Sequence, residues 1–165
     1  SEALRASGLA AGRLEIEVTE TALIEDREGA AARLESLAEK GIGIALDDFG
    51  TGYSSLSYLD GMPFSKLKID RSFIADITTS ERSRKLMTNV ARLGRDLDLV
   101  LVAEGVETED QLEIIARDTG IDQIQGFLFS MPLPAIETRA LIARMNRSSA
   151  RPARGKTRRP ALVAK

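Results

Sequence analysis

Two adjacent carboxylates at the end of an apolar run constrain this chain more than any other feature. Asp47 and Asp48 directly follow the run at residues 42–46, and a loop with Gly50 and Gly52 comes next. Adjacent acids at the end of a buried strand are costly unless a positive charge lies on them. A pair of divalent metal ions supplies that charge, because one carboxylate can bridge both ions while its neighbour binds the second. The segment therefore predicts a strand that ends at a metal site.

Strand-like and helix-like patterns alternate along the rest of the chain. Short apolar runs predict strands at residues 14–18, 42–46, 66–70, 99–103 and 123–129. Apolar stripes between them predict helices over residues 30–38, 86–97, 109–120 and 134–145. The third of these helices is introduced by Thr108 and Gln111, which have the spacing of a capping box. This alternation predicts an α/β fold with a parallel sheet, either a barrel or an open sheet.

Acidic residues favour the barrel. Glu17, Asp47, Asp70 and Glu104 each follow an apolar run. Parallel strands place their carboxyl ends on one face, where the active sites of (β/α) barrels lie. A doubly wound sheet instead offers one crevice at its switch point. Four strands that each deliver an acid therefore predict a TIM-like (β/α) barrel.

Composition narrows the chemistry of the site. The 165 residues include no cysteine and no histidine, which excludes disulfides, thiolate catalysis and zinc sites built on imidazole. A metal site must then use oxygen ligands, which favours magnesium, manganese or calcium. No apolar run approaches the length of about 20 residues that spans a bilayer.

The charge distribution divides the chain into a body and a tail. Residues 147–165 carry seven basic side chains and no acid, and they lack helical periodicity. We predict a folded domain at residues 1–146 and a disordered basic tail at residues 147–165. A solvated tail is favoured over one that binds RNA or an anionic surface, so no specific nucleic-acid partner is expected.

Each candidate residue also has an ordinary structural interpretation. A glutamate after a strand is more often a cap or a surface residue, and Asp70 could pair with Arg71 or Lys68. The joint pattern is harder to explain without a ligand, because several carboxylates converge from different strands beside a lysine. The residues that carry this hypothesis are Glu17, Glu20, Asp47, Asp48, Lys68, Asp70, Glu104, Glu107 and Gln125.

Five segments together resemble the carboxyl-terminal part of the EAL domain, the cyclic di-GMP phosphodiesterase family. They follow the family's order and extend over about residues 1–136. The segments are LEIEVTE at 14–20, DDFGTGYSSL at 47–56, KIDRSF at 68–73, AEGVET at 103–108 and DQIQGF at 122–127.

The resemblance implies roles for the residues of the site. Glu17 and Asp47 would be metal ligands, with Asp47 placed to bridge two ions. Asp48 would bind the second ion or the nucleophilic water. Lys68 would position that water or stabilise charge, and Glu104 would complete the network on the metal side.

It also implies roles around that centre. Gln125 would line the same site. Glu20 would anchor the loop at residues 49–55, which in this family couples substrate and metal binding to dimer contacts. Asp70 and Glu107 are motif residues to which we assign no role.

The implied reaction is hydrolysis of one phosphodiester bond of cyclic di-GMP to give linear pGpG, with Mg²⁺ or Mn²⁺ as the cofactor. The resemblance further implies a cytoplasmic domain and a homodimer of the intact protein. A sensory or cyclase domain could precede it, and upstream segments could anchor the parent protein to a membrane.

One motif of the family is expected to be a decoy here. Glu2-Ala3-Leu4 matches the family's name, but it lies only 15 residues before Glu17 and has the pattern of a helix end. Two metal ligands of the family, a glutamate and an asparagine on earlier strands, would then be absent, together with the opening strands of the barrel. Met131 also replaces a basic residue that is common before the proline of its segment.

Two classes of function follow. The first is a phosphodiesterase of which this chain is a fragment that is inactive alone. The alternative is a degenerate, non-catalytic EAL module that binds cyclic di-GMP or a protein partner. An incomplete barrel is also expected to expose two sheet edges and an uncovered apolar interior, which would make the isolated chain a poor monomer.

Overall fold

The computed structural model describes residues 2–25, 27–50, 59, 61–149 and 161–162. The strands are β1 (Glu15–Thr19), β2 (Gly43–Phe49), β3 (Lys66–Ile69), β4 (Val100–Ala103), β5 (Gln123–Ile124) and β6 (Ala161–Leu162). The helices are α1 (Glu2–Ser7), α2 (Glu20–Glu25), α3 (Arg27–Ala38), α4 (Glu81–Asp96), α5 (Glu109–Asp118) and α6 (Ala135–Ser149). Short 3-10 helices occupy Ala11–Arg13 and Arg71–Phe73.

The strands form one parallel sheet in sequential order, β1-β2-β3-β4-β5-β6. Helices connect most neighbouring strands, as the alternation in the sequence predicts. The predicted α/β fold with a parallel sheet is therefore confirmed. The sheet does not close on itself in the described part of the chain, where β1 and β6 are its two ends.

The last predicted strand is shorter than expected. The apolar run at residues 123–129 predicts a strand throughout, but β5 ends at Ile124. Beyond it the chain turns, and Phe129 N–H donates to the Gly126 carbonyl over 3.2 Å. The backbone of Val106 lies where a side chain at Gly126 would be, so this part of the chain packs against the β4–α5 loop.

One face of the sheet is apolar and packs against the helices. Strand side chains alternate between two faces, and we call the helix-covered one the apolar face. The side chain of Leu101 on this face occupies the space that a side chain at Gly94 on α4 would need. The apolar face includes Ile44, Leu46, Leu67, Ile69, Leu101, Ala103 and Ile124, all of which belong to the buried core, and Ile16 and Val18 of β1 pack against that core.

The opposite face is charged, which contradicts our expectation of an uncovered apolar interior. We call it the charged face. Alternation along β1 and β3 places acids on one strand and lysines on the other, and Lys66 Nζ lies 2.6 Å from Glu15 Oε2. The strand residues of the charged face include Glu15, Glu17, Ala45, Asp47, Lys66, Lys68, Val100 and Val102.

The two ends of the chain bear on further predictions. Glu2-Ala3-Leu4 lies in α1 and Glu2 is exposed, so this motif is not on a strand of the sheet.

Of the predicted tail, residues 147–149 continue α6, and Ala161 of β6 pairs with Gln123 of β5. Residues 150–160 and 163–165 lie outside the described residues. Across the described part of the chain, none of the helices combines the length and apolar character that crossing a bilayer requires.

Candidate functional site

Three neighbouring strands and one loop bring the predicted site residues to the same edge of the sheet. Thr19 of β1 pairs with Asp47 of β2, so Glu17 and Asp47 lie at adjacent strand ends. Lys68 lies near the end of β3. Glu104 follows β4 directly, and its N–H donates to the Ile69 carbonyl over 3.0 Å. Parallel pairing thus places these four residues at one rim.

Lys68 is the centre of this rim. Its Nζ lies 2.7 Å from Glu17 Oε1, 2.9 Å from Asp47 Oδ1 and 2.9 Å from Glu104 Oε1. Only 2% of its side chain is exposed. Burial on its own would lower the pKa of the Lys68 ammonium, but hydrogen bonds to Asp47, Glu104 and Glu17 raise it above the ordinary value. Lys68 is therefore a buried cation at neutral pH.

A β-bulge brings Asp48 to the same rim. Leu46 pairs with Leu67 and Phe49 pairs with Ile69, so Asp47 and Asp48 on β2 face the single residue Lys68 on β3. Asp48 has a positive φ of 55°. Without the bulge, successive side chains would point to opposite faces.

The bulge has a direct chemical consequence. Asp47, Asp48 and Glu104 each offer a carboxylate oxygen within 4.8 Å of the others, in a geometry that could hold a metal ion. The backbone N–H of Asp48 also donates to Asp47 Oδ1 over 3.0 Å, which orients that carboxylate. Carboxylate oxygens are the donors that hard divalent cations prefer, so the donor set fits such an ion.

Gln125 reaches the rim from β5. Its N–H donates to the Ala103 carbonyl over 2.9 Å, and its carbonyl accepts from Val106 N–H over 3.2 Å. Leu128 N–H then donates to the Val106 carbonyl over 3.1 Å. These bonds continue the β4–β5 pairing into the loops after both strands. The described contacts join Gln125 to the Glu104 loop through its backbone, and its side chain is half-buried.

Gln111 holds the loop between β4 and α5 through hydrogen bonds to its backbone. The predicted capping box with Thr108 is confirmed at the start of α5. Gln111 Oε1 also accepts from Glu107 N–H over 2.8 Å, and Gln111 Nε2 donates to the Ile74 carbonyl over 3.5 Å. The sequence predicts a helix cap, but it does not show that this glutamine is buried between two loops of the rim.

Glu20 and Asp70 have different local roles. Glu20 is buried, and its Oε1 accepts from Gly50 N–H over 3.2 Å at the start of the loop after β2. Residues 51–58 of that loop lie outside the described residues. Asp70 caps the 3-10 helix Arg71–Phe73, because its Oδ1 accepts from Ser72 N–H over 2.9 Å. Asp70 therefore stabilises the turn that follows β3, although it lies at a strand end as the site residues do.

Sequence comparison identifies the family. The sequence model of the EAL domain matches residues 1–132. This chain belongs to the EAL domain family. The cyclic di-GMP phosphodiesterase NbdA of Pseudomonas aeruginosa is 48% identical over 132 residues, which cover 80% of this chain and 17% of that protein. The chain thus spans about a fifth or less of the curated relatives that it matches.

Solved EAL structures have the same fold. The EAL domain of DcpA from Mycobacterium smegmatis matches with a TM-score of 0.80 and 39% identity, over 86% of this chain and 63% of that one. Klebsiella pneumoniae BlrP1, solved as a complex with manganese and cyclic di-GMP, matches with a TM-score of 0.74 and 39% identity. That match covers 79% of this chain and 33% of BlrP1.

Proposed function

We propose that this EAL domain, within its intact protein, hydrolyses cyclic di-GMP to linear pGpG with Mg²⁺ or Mn²⁺. The observation that carries the proposal is the carboxylate group at the rim. Asp47, Asp48 and Glu104 lie within 4.8 Å of one another, and Glu17 joins them through Lys68. Divalent ions held there would neutralise a scissile phosphate and lower the pKa of a bound water.

The residues of the site divide into metal ligands, a cation and residues that shape the site. Glu17, Asp47, Asp48 and Glu104 hold the metal ions. Lys68 orients the attacking water or stabilises charge on the phosphate. Two further residues shape the site, as Gln125 lines it and Glu20 holds the loop after β2 through Gly50.

The comparisons support the substrate. NbdA, at 48% identity, is named a cyclic di-GMP phosphodiesterase. BlrP1, at 39% identity, binds manganese and cyclic di-GMP in its structure. MucR of Pseudomonas aeruginosa, of which this chain covers 20%, is named a bifunctional diguanylate cyclase and cyclic di-GMP phosphodiesterase. A neighbouring cyclase or sensory domain is therefore part of the proposal. We also propose a homodimer of the intact protein and a cytoplasmic location, which the resemblance to the family implies.

The number of ligands sets the expected activity of the chain alone. Two Mg²⁺ ions need near-octahedral shells, whereas the rim offers four carboxylates among the described residues. We expect water to fill the remaining positions, which weakens the ions' binding and loosens their spacing. A two-metal reaction depends on that spacing, so the isolated chain should show little or no turnover.

The test compares the full-length protein with the isolated chain in the presence of Mg²⁺ or Mn²⁺. Chromatography measures the conversion of cyclic di-GMP to pGpG. We expect turnover by the full-length protein, its loss in Asp47→Asn, and little turnover by the chain. Asp70→Asn is the matched control, because Asp70 caps a 3-10 helix at the same edge. Full-length protein that binds cyclic di-GMP but does not cleave it would contradict the proposal and support the non-catalytic module.

A further inference from the structure

We propose that Lys68 is the resident counter-ion of the site. Its ammonium holds Glu17, Asp47 and Glu104 together when no divalent ion is bound, and it competes with that ion for their oxygens. The inference rests on the proposed metal site, and it adds that competition with the ammonium sets the affinity of the site for metal.

The ammonium of Lys68 lies within ion-pair distance of three carboxylates. A lysine Nζ has three N–H donors and no acceptor. Lys68 has three carboxylate partners at 2.7 to 2.9 Å, contributed by β1, by β2 and by the segment after β4. Since only 2% of the side chain is exposed, bulk water cannot replace these partners. Lys68 thus lies among the carboxylates much as a bound cation would.

The carboxylates that contact Lys68 overlap with those that could hold a metal ion. Asp47 and Glu104 contact Lys68, and the same two residues form the candidate metal group with Asp48. A divalent ion that binds this group must share those carboxylates with the ammonium or displace it. The ion also meets a unit positive charge a few ångströms away, which opposes its binding.

Without Lys68, the carboxylates of the rim would face one another with no counter-charge among them. Like charges at this spacing repel one another, and the repulsion is strong where water is excluded. Replacement of Lys68 by a neutral side chain should therefore destabilise the metal-free fold. The same replacement should strengthen metal binding, because the ion no longer competes.

Lys66 offers a matched control. It lies on the same strand and the same face, two residues before Lys68, and it pairs with Glu15 at 2.6 Å. None of the described contacts joins Lys66 to the carboxylates of the rim. Lys66→Met removes the same charge as Lys68→Met and leaves the coordination of the site intact.

The experiment measures Mn²⁺ binding to the full-length protein, as wild type, Lys68→Met and Lys66→Met, by calorimetry at constant ionic strength. Thermal unfolding is followed with and without Mn²⁺. We expect Lys68→Met to bind Mn²⁺ about tenfold or more tightly than wild type, as loss of an adjacent unit charge implies. Lys66→Met should stay within about twofold. Mn²⁺ should also raise the melting temperature of Lys68→Met by more than that of wild type.

The possible outcomes separate this inference from the proposed function. Equal or weaker binding by Lys68→Met, with clear binding by wild type, overturns the counter-ion role and leaves the metal site standing. Absence of Mn²⁺ binding in all three proteins overturns both. If Lys68→Met unfolds without metal, its recovery with Mn²⁺ supports the inference, and Lys68→Gln repeats the test with a polar side chain. Failure of both variants to fold even with Mn²⁺ overturns it, because the ion should replace the ammonium.

Discussion

The two faces of the sheet are made by alternate residues of the same strands, yet they have opposite characters. On β3, Leu67 and Ile69 are fully buried in the apolar core, whereas Lys66 and Lys68 form ion pairs on the charged face. Burial of apolar area against the helices stabilises the fold. Buried charges contribute little net stability and can cost free energy. The apolar face therefore supplies stability, while the charged face supplies the chemistry.

The sharpest test of this division substitutes adjacent residues on β4. Leu101→Ala should lower the free energy of unfolding by roughly 2–5 kcal/mol, because it leaves a cavity against α4 beside Gly94. Val100→Ala should cost less than about 1 kcal/mol, since Val100 is 36% exposed. Urea unfolding of the isolated chain measures both values. Equal losses at the two positions would show that the faces do not differ in their contribution to stability.

The alternation behind this division is present in the sequence. Glu15-Ile16-Glu17-Val18 and Lys66-Leu67-Lys68-Ile69 both alternate charged with apolar residues, which is typical of a strand with one polar face. An apolar interior would be expected only if each strand were an uninterrupted apolar run. The order of the elements, the parallel sheet and the shared rim could be predicted, since they depend on local pattern and strand direction.

Other features of the rim depend on tertiary contacts and could not be predicted. The bulge at Asp47 and Asp48 follows from the register against β3, which no local pattern specifies. The early end of β5 follows from the position of Val106 against Gly126. Aspartate tolerates a positive φ better than most residues, so the sequence permits the bulge at Asp48 without indicating it.

The rim itself can be tested at Gly126, where the loops after β4 and β5 meet. Gly126→Ala should cost about 1–3 kcal/mol, because the added methyl group would overlap the backbone of Val106, which cannot rotate away as a side chain does. The substitution should also weaken Mn²⁺ binding, since the Val106 and Gln125 backbones are bonded beside Glu104. Chemical denaturation and calorimetry measure the two effects.

Gly12→Ala is the matched control for this substitution. A Cβ at Gly12 would meet its nearest neighbour, the Gly41 carbonyl oxygen, at 3.7 Å, which is an ordinary contact. Gly12 lies in the short 3-10 helix before β1. We expect a change in stability of about 0.5 kcal/mol or less and unchanged metal binding. A similar loss for both alanine variants would mean that backbone freedom, and not the close approach of Val106, explains the result.

The smallest predicted effect concerns Asp70, an acid at a strand end that serves the fold and not the site. Burial alone would raise the pKa of the Asp70 carboxyl, but hydrogen bonds from Ser72 and the backbone of Arg71 lower it below the ordinary value. Because the folded pKa is lower than the unfolded pKa, the carboxylate stabilises the fold above the unfolded pKa. That stabilisation is lost as the pH falls through the folded pKa.

We therefore expect Asp70→Ala to lower the free energy of unfolding by about 1 kcal/mol at neutral pH, through loss of the cap on Ser72 N–H. Asp70→Asn should lose less, because its amide oxygen can still accept that hydrogen bond. The difference between wild type and Asp70→Asn should shrink as the pH falls below the ordinary carboxyl pKa of 3.8. Urea unfolding of the three proteins at several pH values measures these differences in the free energy of unfolding. A difference that grows on acidification would reverse the sign of the pKa shift, and weakened Mn²⁺ binding by Asp70→Asn would place Asp70 in the site after all.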